Sequence, residues 1–123
     1  MEHFDLESKP GKAPGGYNYP LYETGAPFIF MNSVGSQNDF TTMIHEGGHA
    51  VHSFLTHGLE LTSFKSFPSE IAELASMSME LLTMDYWNQV YSDKDDLMRA
   101  QREQVEGTLT LLPWIAQIDA FQH

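Results

Sequence analysis

Residues 36–57, SQNDFTTMIHEGGHAVHSFLTH, decide how the rest of the chain is read. Ser36 is followed three residues on by Asp39, the spacing of a capping box that opens a helix. At about 100° per residue, Phe40, Ile44, Val51 and Leu55 fall within roughly 60° of one another, with Met43 and Phe54 beside them. This stripe is expected to face the core. His45, His49 and His52 form a second stripe, about 60° wide and centred roughly 120° or more from the first. One helix thus offers an apolar side to the interior and an imidazole side to a cleft.

His45 and His49, at i and i+4, can direct two ring nitrogens to one Zn²⁺ at about 2.0–2.1 Å, the helix setting the bite. Glu46 lies on an adjacent line, placed to reach a metal-bound water as a general base. Gly47 and Gly48 each cost about 1 kcal/mol relative to Ala in a helix interior. Close approach of another segment or a ligand is expected to compensate. A catalytic zinc takes three protein ligands and leaves a fourth position open. A second helix, expected to begin near Ser66 to Ser69 with Pro68 in its first turn and to run toward Trp87, offers Glu73, with Glu70 and Glu80 as competitors. Its buried side is expected to be Ile71, Ala75, Ser78 and Leu82. Glu73 and Glu80 project within about 20° of each other, so Glu80, with His52, is a candidate for orienting a ligand imidazole.

A third helix is expected after Ser92 and through DLMRAQREQVEGTLTLLPWIAQIDAF, bent or broken at Gly107 and Pro113. On the other side of the zinc helix, KPGKAPGGYNYPLYETGAP (9–27) is too dense in Gly and Pro for helix. Three extended segments, His3 to Glu7, Tyr17 to Leu21 and Phe28 to Asn32, suggest a small antiparallel sheet or ribbon. The expectation is a mainly α (α+β) chain, a β and loop region over 1–35 and three or four helices over 36–123, in a single domain spanning 1–123.

The chain has 123 residues, 41% of them apolar and 12% aromatic, which suits one modest packed core. With 6 Lys and Arg against 17 Asp and Glu, the formal charge of -11 repels a phosphate backbone, so nucleic acid is not an expected partner. No run of 18 apolar residues marks a membrane span. Cysteine is absent, removing disulfides and thiolate metal sites, and MEHFDLESKP has no basic region followed by an apolar stretch. A cytoplasmic location is expected.

HEGGHAVHSF (45–54) and SEIAELASMSMELL (69–82) resemble the zinc helix and the glutamate-ligand helix of the metallopeptidase family that includes thimet oligopeptidase and oligoendopeptidase F. GKAPGGYNYPL (11–21) and PFIFMNSVGSQNDF (27–40) are similar to the glycine-rich and strand regions upstream of that motif, and LLPWIAQIDAFQH (111–123) to a helix downstream. The resemblance implies a zincin-like catalytic core of the gluzincin type. It selects Glu73 as third ligand and implies one zinc per chain. It further implies a metalloendopeptidase that hydrolyses peptide bonds in short peptides, with Glu46 as general base.

Members of that family are several times longer and place transition-state-stabilising tyrosine and histidine side chains after the helix that here ends at His123. The chain is therefore expected to be a catalytic-core fragment. Phe28, Ile29, Phe30, Met31 and Asn32 are expected to hold an extended substrate by main-chain pairing. The alternative is a zinc-binding but catalytically silent module, self-associating through apolar surface left exposed by truncation. A di-iron carboxylate bundle is the third reading, since Glu46 to His49 is also Glu-x-x-His, but it wants a second such pair and no other histidine has a glutamate three places before it.

Overall fold

In a computed structural model that describes residues 3–123, contacts cluster into two compact units, one ending at Leu82 and the other spanning Thr83–His123. The first unit carries the sheet and two helices. Strands β1 (Phe4–Glu7), β2 (Tyr17–Tyr19) and β3 (Phe28–Ser33) lie in the order β1-β3-β2. β2 pairs antiparallel with β3, Asn18 opposite Ile29, whereas β1 runs parallel to β3 with Phe4 opposite Ile29. The sheet is thus mixed rather than antiparallel. A parallel pair needs a crossover of roughly a dozen residues or more, and segment 8–27, with β2 inside it, supplies one.

Alternate residues of β3 build the core. Ile29 and Met31, 4% and 2% exposed, pack with Ala50, and Leu6 and Met43 flank them. The glycine-rich segment is pinned over the sheet by side chains. Lys12 Nζ donates to the carbonyls of Asp5 and Glu7 at 3.0 and 2.8 Å and lies 4.4 Å from the Phe30 ring centroid. Asn32 Nδ2 donates to the carbonyls of Ala13 and Gly15 at 2.8 and 2.9 Å. These bonds bring Gly16 against the next helix: a Cβ there would meet Thr42 Cγ2 at 3.2 Å and Glu46 Oε1 at 3.6 Å.

Helix α1 (Gln37–Thr56) opens on the expected capping box, Ser36 Oγ accepting the Asp39 N–H at 3.3 Å and Asp39 Oδ2 accepting the Ser36 N–H at 2.7 Å. Asp39 Oδ2 also accepts the Val34 N–H at 2.9 Å, which ties the end of β3 to the start of the helix. Helix α2 (Ser69–Leu82) is capped by the Pro68 carbonyl, which accepts the N–H groups of Ile71 and Ala72, so Pro68 precedes the first turn. It stops at Leu82, short of Trp87.

The faces through which α1 and α2 are buried differ from those the apolar pattern predicts. In α1 the buried residues are Glu46, Gly48 and Ala50, while Val51, Phe54 and Leu55 are exposed and Phe40 and Ile44 only half-buried. In α2 the fully buried residue is Ser76, while Ile71 and Leu82 are exposed and Ala75 and Ser78 half-buried. The reason is steric. Gly48 lets the α2 backbone approach so closely that a Cβ there would lie 2.8 Å from Ser76 Cα. Two helices in contact through such small residues pack by their small and polar faces, and the larger aliphatic stripes are left outside.

In the second unit a 3-10 helix (Met84–Gln89) precedes α3 (Lys94–Gln122). Trp87 is 1% exposed, and its Nε1–H donates to Thr83 Oγ1 at 3.3 Å. The cap of α3 is Asp93, whose Oδ1 accepts the N–H groups of Asp95 and Asp96 at 2.9 and 3.0 Å. α3 is continuous through Gly107 and Pro113, so of the expected bend or break the break does not occur. Proline forfeits one i to i−4 bond, which the intact turns on either side span. Among the described residues, no helix is long and apolar enough to cross a membrane.

Candidate metal centre

The contact between α1 and α2 places His45, His49 and Glu73 at one point. One ligand atom from each lies within 4.8 Å of the others, a donor set able to hold a metal ion. Glu73 spans the two imidazoles: its Oε2 is 3.1 Å from His45 Nε2 and its Oε1 is 3.6 Å from His49 Nε2. The rings meet edge to face at 4.9 Å, as expected of side chains one helical turn apart. Gly48 makes this convergence geometrically attainable by letting α2 come within reach of the imidazoles.

The other nitrogen of His45 is fixed from behind. Glu80 Oε1 lies 2.7 Å from His45 Nδ1, accepting its proton and directing Nε2 toward Glu73. Ser76 Oγ, 3.2 Å from His45 Nε2, donates to the Glu73 carbonyl at 3.1 Å. The hydrogen bond that His45 donates to Glu80 raises the His45 pKa, opposed by burial and helped by the charges of Glu80, Glu73 and Glu46. His49 moves the other way. Burial, and then the neighbouring His45, lower its pKa, which favours the neutral imidazole that a metal ion requires.

Glu46 is 6% exposed. Burial raises its pKa, with His45 pulling it down, Glu73 pushing it up, and an Asn18 backbone N–H pulling it down. Its Oε2 is buried without a hydrogen-bond partner. A buried carboxylate oxygen left unshared is costly, and the same burial is the main cause of the raised pKa.

The remaining candidates lie elsewhere. His52 is not in the donor set; its ring stacks on Phe67 at 3.7 Å and 6°, and its Nδ1 has no partner. Phe28, Ile29, Phe30, Met31 and Asn32 do not offer a free strand edge. β3 is the central strand, paired with β1 on one side and β2 on the other, so its main chain cannot take up a peptide along Phe28 to Phe30. Ile29 and Met31 are core, Phe30 stacks on Tyr17 at 4.9 Å, and Asn32 holds the glycine-rich loop. The strand beside Glu46 is β2. Two contributors were missed by the sequence reading. Ser76 carried a signal, three residues after Glu73 and thus on the same face. Asn18 carried none, because its backbone N–H reaches Glu46 only through the fold.

The model of peptidase family M3 matches residues 2–123. The oligopeptidase PepF of Bacillus subtilis is 30% identical over 103 residues, 84% of this chain and 15% of its own length. The chromosomal oligoendopeptidase F of Lactococcus lactis subsp. cremoris is 36% identical over 76 residues, 62% of this chain and 12% of its own length. The solved structure of PZ peptidase A with an inhibitor superposes with a TM-score of 0.87 at 35% identity, covering 98% of this chain and 21% of that one. The match thus spans only 15% of the length of the Bacillus subtilis relative.

Proposed function

From the membership of this chain in peptidase family M3, to which it belongs, we propose that residues 1–123 form the zinc-binding part of a metalloendopeptidase active site. The observation that carries the reading is the pairing of a three-donor cluster with a buried, half-unpartnered carboxylate on the same helix. His45 Nε2, His49 Nε2 and a Glu73 oxygen would hold one zinc. The donors suit it: two imidazoles, one tied at Nδ1 and one held neutral, beside a carboxylate. Bound zinc supplies a water acidified to a pKa of about 7 and polarises a peptide carbonyl.

Glu46, with its pKa raised by burial, takes the proton from the attacking water and returns it to the leaving amine. Glu80 keeps the His45 ring oriented and its Nε2 basic. The short peptide substrate runs along β2 rather than β3: β2 is an edge strand of the sheet, and of the two edges it is the one whose Asn18 N–H points to Glu46. A metal-binding but catalytically silent module remains the second reading, favoured by the exposure of Phe54, Leu55, Leu74 and Leu82 at 57%, 78%, 64% and 69%.

Mass spectrometry of the purified chain should find one zinc, with Glu73→Ala reducing occupancy. A quenched-peptide assay on the same samples should show chelator-sensitive cleavage. Zinc without cleavage favours the silent module, and no zinc removes the reading altogether.

A further inference from the structure

A cleft of about 270 Å³ opens beside His49, within the unit that ends at Leu82. One wall is apolar, from Pro20, Tyr22, Phe67 and Ala72. Phe67 is held in place by its stack on His52, so this wall is rigid rather than a loose loop. The polar side is more telling. The hydroxyls of Ser53 and Thr56 are already committed, donating to the carbonyls of His49 and His52 at 3.0 and 3.1 Å.

Lys65 and Asn18 line the same cleft and are differently placed. Asn18 Nδ2 is buried and has no acceptor. The unit ending at Leu82 contains three cationic side chains, Lys9, Lys12 and Lys65. Lys9 and Lys12 both pair with Asp5, at 3.7 and 3.1 Å, whereas Lys65 has no carboxylate within 4.0 Å among the described residues. In a chain of formal charge -11, a lysine in the lining of a cleft with no carboxylate partner runs against the prevailing charge. Two unanswered donors, one of them charged, ask for an acceptor that carries negative charge.

We propose that this cleft is a substrate subsite and that Lys65 makes it selective for a carboxylate on the bound peptide, either an Asp or Glu side chain or the terminal carboxylate. The inference rests on the peptidase reading above. His49 belongs both to the cleft lining and to the metal-donor cluster, so a peptide held at that cluster would send a neighbouring group into the cleft. Lys65 meets that carboxylate as a point charge, with Asn18 Nδ2 as a second donor.

The test is calorimetric titration of the zinc-loaded, cleavage-impaired Glu46→Gln chain with three kinds of peptide. All derive from one neutral sequence blocked at both ends: the first is that peptide itself, the second carries a single Glu moved through each position in turn, and the third has its carboxyl terminus left unblocked. The expected result is binding tighter by on the order of 10-fold for Glu at one position or for the free terminus, the two sources being told apart by which peptide gains. Lys65→Gln should erase the gain, and Lys65→Glu should transfer it to a peptide with Lys at that position. Retained zinc in each variant reports an intact fold. Equal binding of acidic and neutral peptides, or a gain that survives Lys65→Gln, overturns the inference while leaving the peptidase reading standing. Failure to bind any peptide overturns both.

Discussion

Glu46, Glu80 and the two adjacent glycines each do something different within one short helix and its neighbour. Glu46 is buried with one oxygen unshared. Glu46→Gln keeps the shape and removes the base, so cleavage in the quenched-peptide assay should fall by about 10²–10⁴ with zinc content unchanged. Glu80 Oε1 lies 2.7 Å from His45 Nδ1 and is outside the donor set. Glu80→Gln should therefore leave the donor set intact yet weaken zinc binding by about 10- to 100-fold in a competition titration against a chelator. Gly48 and Gly47 separate by sign. A Cβ at Gly48 meets the α2 backbone at 2.8 Å, whereas one at Gly47 meets nothing within 4 Å. In denaturant titrations of the metal-free chain, Gly48→Ala should lose about 1–3 kcal/mol by forcing α1 and α2 apart. Gly47→Ala should gain about 1 kcal/mol from helix propensity alone.

At the scale of the element, the start of α1 concentrates the local information. Ser36 and Asp39 satisfy each other's backbone groups, and Asp39 also takes the Val34 N–H. Ser36→Ala should cost about 1 kcal/mol. Asp39 has its pKa lowered below the ordinary 3.8, chiefly by the backbone hydrogen bonds from Ser36 and Val34. A depressed folded-state pKa means stability that is present above 3.8 and lost as pH falls through the folded value. Thermal melts should therefore find Asp39→Asn less stable than the parent near neutrality, with the gap closing in acid below pH 3.8. The capping box was legible from Ser36 and Asp39 alone because both partners lie within one turn. The end of α2 was not: nothing in IAELASMSMELL stops a helix at Leu82.

At the scale of the whole molecule, the decisive fact is where the core of the unit ending at Leu82 lies. It sits between β3 and α1, with Ile29, Met31 and Ala50 at its centre, and not under the aliphatic stripes of the helices. Ile29→Ala should cost about 2–5 kcal/mol. Leu55→Ala, at a position 78% exposed, should change stability by less than about 0.5 kcal/mol. Equal losses at the two positions in chemical denaturation would place the core where the apolar periodicity alone puts it. The same displacement explains the metal cluster. Helices that meet through Gly48 and Ser76 bring His45, His49 and Glu73 within 4.8 Å, which helices meeting through Leu55 and Leu82 would not.

The sequence by itself determined the elements and their order: a Gly- and Pro-rich stretch too broken for helix, short β-prone segments, a capped helix bearing His45, Glu46 and His49, and a following helix bearing Glu73 and Glu80. These are consequences of spacing within a turn or two, where covalent geometry dictates which side chains share a face. Only the tertiary structure decided which faces meet. Hydrophobic periodicity ranks faces by apolar content, but the approach of two backbones is limited by side-chain size. Thus Gly48 against Ser76 outweighed the larger stripes. Strand pairing followed the same division. The extended segments were readable from Phe28 and Tyr17, but the central place of β3, the parallel partner β1 and the edge role of β2 depend on hydrogen bonds between residues far apart in the chain.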